Sequence, residues 1–267
     1  SGIVHQASAR NTNFIVQKFY RTLYNRLEQI MLVSDADFER VRQVVPEHPG
    51  LSVMGDTRFD SVIERREQLD PPQWPEGFGQ GTLFVAGSTW PRDEECIYPV
   101  LRKAVEQSPE LQLVLVPHEP TEEHLLHAET FFQGIPLVRW KNRDQAPSGL
   151  RILLIDTIGL LAGLYRGADI AYVGAGFTTG VHNTMEPASM GLPVFFGPRY
   201  DNAMEAKKMI ELGCAFSIDS TENFESRFLP LLQNPELTRK LGAQAQQFIE
   251  SQAHASEHCL PAILGNL

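Results

Sequence analysis

The sequence predicts an α/β protein built on a doubly wound parallel sheet, and three observations carry that reading. From residue 82 onward, short apolar runs alternate with amphipathic segments, the rhythm of right-handed βαβ units. Two of those runs, Ile152-Leu153-Leu154-Ile155 and Ile170-Ala171-Tyr172-Val173, are apolar without a break, as strands covered on both faces must be. The second of them enters a glycine-rich stretch over 174–183 that leads to a helix carrying Glu186 and then to a strand ending at Phe196-Gly197-Pro198. Ligands of such sheets bind beyond the carboxyl ends of the strands.

The elements follow in order. Residues 13–28 read as a helix, with Arg10, Lys18, Arg21 and Arg26 interleaved with Phe14, Phe19, Tyr20, Tyr24 and Leu27. That pattern fits either a basic amphipathic helix at a membrane surface or a helix packing its aromatic face on a core, and the second is the expectation. Ile30–Val33 is a short strand, Ser34 caps a helix over 35–45, and Leu51–Met54 leads as a strand into Gly55-Asp56. Asp70-Pro71-Pro72-Gln73-Trp74-Pro75 is rigid and punctuated, as a linker would be. Strands are then expected at 82–86, 112–116, 136–139, 151–155, 170–173, 193–196 and 215–218. Helices are expected at 92–107, 121–132, 158–166, 184–190 and 202–212, and over most of 222–250. The divisions that follow are an N-terminal segment 1–56, a linker 57–81, a ligand-binding domain 82–235 and a helical segment 236–267.

Composition limits the function classes. A chain of 267 residues supports a proper core, and its net charge of -10 argues against broad binding to nucleic acid. Cys96, Cys214 and Cys259 are scattered, with no C-x-x-C pair; a reducing cytoplasm is the natural expectation and no metal site is indicated. No apolar run approaches 18 residues. The opening Ser1-Gly2 has the look of a cloning remnant, so the chain is expected to be part of something longer. No G-x-x-x-x-G-K-[ST] and no G-x-S-x-G occurs, and Gly174-Ala175-Gly176 sits too late in the chain for a dinucleotide fingerprint.

Four loops at the carboxyl edge carry chemistry. In Gly87-Ser88-Thr89-Trp90-Pro91, Ser88 or Thr89 can cap the next helix or offer hydroxyls to a phosphate. His118, in Pro117-His118-Glu119-Pro120, either faces a ligand or is structural. Asp156, in Asp156-Thr157-Ile158-Gly159, caps a helix, and the bare backbone of Gly159 suits the flat edge of a nucleobase. The fourth loop holds Gly174, Gly176, Gly180, His182 and Asn183, followed by Glu186. Its glycines let backbone approach a phosphate, and the free N–H groups of the helix start attract an anion. Glu186, one turn into the helix, can accept two hydrogen bonds from a ribose diol. A nucleotide-activated sugar fits all of these, and an ordinary strand-loop-helix crossover is the plain alternative. The convergence of the four loops says more than any one of them.

The ordered series G-D-T-R-F-D (55–60), G-S-T (87–89), P-H-E-P (117–120), D-T-I-G (156–159), G-V-H-N-T-M-E-P (180–187), G-L-P-V (191–194) and F-G-P (196–198) resembles the 3-deoxy-D-manno-octulosonic acid (Kdo) transferases of lipopolysaccharide biosynthesis, over about residues 13–255. The resemblance implies the Rossmann-like C-terminal domain of a glycosyltransferase-B fold, with residues 1–56 a remnant of the N-terminal acceptor domain. It implies a CMP-Kdo donor, a lipid A precursor as acceptor, no cofactor or metal, and a full-length enzyme at the cytoplasmic face of the inner membrane of a Gram-negative bacterium. Carried over, Glu186 holds the ribose hydroxyls, and Gly174–Asn183 lies against the phosphate and the Kdo carboxylate. Asp156, Thr157 and Gly159, with Phe196, Gly197 and Pro198, frame the cytosine, and Ser88 and Thr89 contact sugar or phosphate. Arg58 is an anion contact or an ordinary ion pair, and His118 and Asn202 complete the donor set. Val181 and Thr184-Met185 depart from the family's usual G-G-H-N-P-L-E-P, and Ile155 stands where a glycine is usual. The family's catalytic carboxylate lies in an N-terminal domain, so the expectation is donor binding with little transfer. UDP-sugar transferases, UDP-sugar 2-epimerases and non-catalytic nucleotide-binding domains on the same fold are the alternatives.

Overall fold

A computed structural model describes residues 14–264 and divides them into two compact units: residues up to 64 together with those from 250 onward, and Arg65–Ile249. In the first unit, α1 (Phe14–Tyr24), β1 (Ile30–Leu32), α2 (Asp35–Val44) and β2 (Leu51–Val53) follow one another, and β1 pairs with β2 in parallel. Ser34 caps α2 by accepting the Asp37 N–H at 3.2 Å. Leu32, Val41, Val44 and Val45 form a small core against which Tyr20 and Tyr24 pack. Of the expected aromatic face only Tyr20 and Tyr24 are seen to lie on a core, while Ile15, Phe19, Leu23 and Leu27 are exposed. Arg10 lies outside the described residues.

The expected linker begins as a helix. Asp56 accepts the Arg58 N–H, and α3 (Thr57–Gln68) follows with Phe59 and Val62 buried one turn apart. An Asp at the start and an apolar pair at i, i+3 are helix signals that the proline-rich stretch behind them masks. That stretch is packed as well: the Trp74 ring lies tilted against Phe78, and Phe78 is buried.

The second unit holds seven parallel strands: β3 (Thr82–Thr89), β4 (Leu111–Pro117), β5 (Leu137–Arg139), β6 (Ile152–Leu154), β7 (Ile170–Val173), β8 (Val194–Phe196) and β9 (Ala215–Ser217). Their spatial order is β5-β6-β4-β3-β7-β8-β9. Alternate residues feed opposite cores, as period two requires. Phe84, Ala86, Leu113, Leu115, Ile152 and Ile170 enter one, and Leu83, Val85, Val114, Leu153 and Ala171 enter the other. The helices are α4 (Pro91–Gln107), α5 (Glu122–Phe131), α6 (Leu161–Tyr165), α7 (Met185–Ser189), α8 (Met204–Leu212), α9 (Thr221–Gln233), α10 (Pro235–Ser251) and α11 (Ala255–Leu264), the last in the first unit.

β3 runs three residues further than residue 86, to Thr89, past a bulge at Ser88, whose φ is +52°. Two other departures from the expected boundaries have a clear physical cause. The helix expected over 158–166 shrinks to α6, because Gly159 sits at φ +90° and breaks the turn. The helical stretch over 222–250 is two helices: the Asn234 side chain accepts the Leu237 N–H, and Pro235 opens the second. The short 3-10 turn Trp140–Gln145, with the Arg143 guanidinium 4.3 Å from the Trp140 ring, has no counterpart in the sequence reading.

Candidate functional site

The strand order reverses between β3 and β7, so the carboxyl ends of these neighbours form the switch point at which doubly wound sheets bind ligands. Asp93, in the first turn of α4, ties that point together. Its carboxylate accepts the Tyr172 hydroxyl at 2.7 Å and the backbone N–H groups of Ala175 and Trp90, each at 2.9 Å. One fully buried side chain thus fastens the helix start to strand β7 and to the glycine-rich loop behind it. Burial pushes the Asp93 carboxyl above its ordinary value, and its hydrogen bonds oppose that rise.

The glycines of the loop pack backbone on backbone. A Cβ on Gly174 would stand 2.0 Å from the Ser88 carbonyl oxygen, and one on Gly176 would stand 2.5 Å from the Gly197 nitrogen. Arg199 N–H donates to Gly176 O, and Val181 N–H donates to Arg199 O. The Asn202 amide donates to Val181 O at 3.0 Å, against Gly180 at φ +114°. The loops after β7 and β8 are therefore one clasp.

Three rings from three loops meet above β3, β4 and β7. Trp90 stacks on His118, and His118 stacks on His182, with centroids 4.7 Å apart in each pair. His118 is exposed and His182 half-buried. Burial, then the neighbouring His118, pushes the His182 imidazole below its ordinary value, which keeps it uncharged at neutral pH.

Glu186 is the second residue of the five-residue α7. Its side chain is 17% exposed, and Oε1 accepts from Arg65 Nη1 at 2.9 Å. Burial pushes its carboxyl up, while Arg65 and a hydrogen bond from Asn183 pull it down. The expected anion site at this helix start is compromised: α7 is one short turn, and Asn183 Oδ1 already accepts the Met185 N–H at 3.1 Å. Asn183 thus orients both the helix start and its carboxylate.

The other expected residues are placed as follows. Neither Ser88 nor Thr89 caps α4; Asp93 does so, and Trp90 is the cap residue. Thr89 is buried and donates to Glu94 Oε1 at 2.9 Å, so its hydroxyl is engaged inside the fold. Asp156 does not cap α6 but accepts the Lys141 N–H at 3.1 Å, because the chain turns at Gly159 before the helix starts. Thr157 is half-buried and Gly159 exposed on that loop, with open space around Gly159. The Phe196 ring is buried against Tyr200 and Gly197 is buried against Gly176, which leaves only Pro198 of the three exposed. Arg58, in the first unit, is engaged in a two-pronged ion pair with Asp56, at 2.9 Å through Nε and 2.7 Å through Nη2. Trp90, Asp93 and Arg65 were not anticipated. Asp93 had a signal, an acidic residue three places after the cap position; Arg65, more than a hundred residues from Glu186, had none. Among the described residues, no group of His, Cys, Asp and Glu side chains suits a metal ion, and no helix is long and apolar enough to cross a membrane.

No protein-family model matches the chain. It is 28% identical over 229 residues to the 3-deoxy-D-manno-octulosonic acid transferase of Chlamydophila psittaci, an alignment covering 83% of this chain and 51% of that protein. It is 24% identical over 259 residues to the transferase of the same name from Chlamydia pneumoniae, covering 94% of this chain and 58% of that protein. The chain therefore spans about half the length of the curated relatives it matches. Among solved structures, it superposes on the C-terminal CMP-Kdo binding domain of WaaA from Acinetobacter baumannii with a TM-score of 0.57 and 24% identity, covering 70% of this chain and 97% of that one. A putative UDP-N-acetylglucosamine 2-epimerase from Listeria monocytogenes gives a TM-score of 0.58 at 17% identity, covering 87% and 58%. The fold is that of the C-terminal domain of a glycosyltransferase-B enzyme, and in sequence the chain resembles part of the 3-deoxy-D-manno-octulosonic acid transferases.

Proposed function

We propose that the chain binds CMP-Kdo, as the donor-side part of an inverting glycosyltransferase that moves Kdo onto a lipid A precursor at the cytoplasmic face of the inner membrane. The observation that carries this reading is Glu186, a largely buried carboxylate beside the switch point, oriented by Asn183 and Arg65. An ionised carboxylate so placed is an acceptor-only group matched to two vicinal hydroxyls. The uncharged His182 lies beside the same loop and can exchange hydrogen bonds with the sugar or phosphate without adding charge. In the transfer itself, the acceptor hydroxyl oxygen attacks the anomeric carbon while the bond to the CMP phosphate oxygen breaks on the opposite face. A carboxylate takes the hydroxyl proton. None of the described residues is assigned as that base, and the chain by itself binds donor without transferring it.

The test is calorimetric titration of the chain with CMP, UMP and NAD, repeated on Glu186→Gln. Loss of hydrogen bonds to a charged acceptor costs about 1.5–3 kcal/mol, so CMP affinity should fall by about tenfold to a hundredfold in the variant. Tighter binding of UMP than CMP would favour a UDP-sugar enzyme on the same fold. No binding of any nucleotide would overturn the donor-site reading.

A further inference from the structure

The last turn of α3 is held against α7 and the end of α6 by three arginines. Arg65 Nη1 reaches Glu186 Oε1 at 2.9 Å, and Arg66 Nη1 donates to the Ser189 carbonyl at the end of α7, also at 2.9 Å. From the end of α6, Arg166 Nη1 donates back to the carbonyls of Arg66 and Leu69. Arg65 is thus presented to Glu186 by a braced backbone. Its own side chain is 56% exposed, whereas that of Glu186 is 17% exposed.

A diol is gripped by a carboxylate only when both oxygens accept, which requires the ionised form in a set orientation. Burial raises the cost of the Glu186 charge, and Arg65 and Asn183 offset it. Beside the carboxylate, Arg65 supplies the cation and Asn183 a neutral donor. Arg65 engages Oε1 through a single Nη1 contact, not a two-pronged fork. A carboxylate has more acceptor positions than Arg65 and Asn183 together fill, so positions remain for hydroxyl donors.

Resting on the ribose-binding reading of Glu186, we infer that Arg65 is a positioning residue that sets selectivity for ribonucleotides over 2′-deoxyribonucleotides by holding the Glu186 carboxylate ready for the diol. The role is indirect: Arg65 acts through Glu186 and need not touch the nucleotide.

The experiment compares CMP with 2′-deoxy-CMP by calorimetry on the wild-type chain, Arg65→Gln, Arg65→Lys, Glu186→Gln and the Arg65→Gln/Glu186→Gln double variant. Circular dichroism checks that each is folded. The wild type should prefer CMP by about tenfold or more. Arg65→Gln should weaken CMP by about tenfold and 2′-deoxy-CMP by less than about threefold, so that the preference collapses. Arg65→Lys keeps the charge without the planar guanidinium and should restore part of it. The double variant should bind no more weakly than Glu186→Gln alone, since both act on one contact. An equal loss of both nucleotides in Arg65→Gln would overturn the inference and make Arg65 a phosphate contact. Tighter CMP binding in that variant would also overturn it, making the ion pair an obstacle. If Glu186→Gln leaves the preference intact, or the wild type binds neither nucleotide, the ribose-binding reading itself fails.

Discussion

Replacing Asp93 with alanine should be among the most damaging single changes to the sheet unit, and the structure fixes its scale. Three donors lose their acceptor: the Tyr172 hydroxyl and the N–H groups of Ala175 and Trp90. Tyr172 and Ala175 are fully buried, so both are left stripped of water, at about 1–3 kcal/mol each. The Trp90 N–H belongs to the cap of α4, whose loss costs about 1 kcal/mol. Removing a carboxylate whose burial already disfavours its charge gives some of this back, and the expected net loss at neutral pH is about 3–5 kcal/mol. Urea denaturation followed by circular dichroism measures it. Tyr172→Phe alone should cost about 1 kcal/mol, and the double variant should cost less than the sum, because both changes remove one hydrogen bond. The pH dependence has a definite sign. The folded carboxyl sits above its ordinary value, so its contribution is complete below about pH 3.9 and is lost as pH rises through the raised value. Asp93→Ala should therefore cost more at pH 5 than at pH 7. A loss under about 1 kcal/mol at pH 7, or strict additivity with Tyr172→Phe, would refute the view that Asp93 fastens the loop.

Two further outcomes are expected. Gly176→Ala places a Cβ 2.5 Å from the Gly197 nitrogen and should cost about 1–3 kcal/mol or more, with loss of the clasp between the loops. Gly159→Ala meets only its φ of +90°, with no atom in the way, and should cost about 1 kcal/mol; equal losses in urea denaturation would contradict this account of the loop. The His182 imidazole, followed by NMR, should titrate below the ordinary value of about 6.5, and His118→Gln should raise it by removing like-charge repulsion. Since folding depresses this group, its contribution to stability is present above about pH 6.5 and declines as pH falls. An unchanged titration in His118→Gln would show that burial alone sets it.

The strands of the sheet unit were legible because burial on both faces leaves an unbroken apolar run, and Ile152–Ile155 and Ile170–Val173 are such runs. The edge at which the loops converge was legible too, since an all-parallel sheet puts every carboxyl end on one side. Side-chain partners were less so. Thr89 and Asp156 carry good capping chemistry, but Thr89 turns inward to Glu94 and Asp156 turns aside to the Lys141 backbone. A capping residue reads its neighbours in three dimensions, and a bulge at Ser88 or a left-handed glycine at 159 reassigns it without changing its type. The helix over Thr57–Gln68 was hidden by the prolines behind it, and with it went Arg65, whose meaning depends on a contact 121 residues away.

The glycine-rich stretch illustrates the same point at the level of function. Its composition suggests backbone laid open to a phosphate, yet the bare Cα positions of Gly174, Gly176 and Gly197 are spent against neighbouring backbone. What the packing provides is a loop with a fixed path, held by Asp93 from one side and by Arg199 and Asn202 from the other. Preorganisation of this kind lowers the cost of ordering a loop on binding. The path brings the half-buried His182 to the stacked Trp90 and His118, and the chain then turns into α7 with Glu186 at its second position. A glycine signature in this setting reports how closely two loops approach each other. On the function proposed above, recognition rests with the side chains the loops carry, Glu186 first, and with Arg65, which reaches it from a distant stretch of the chain.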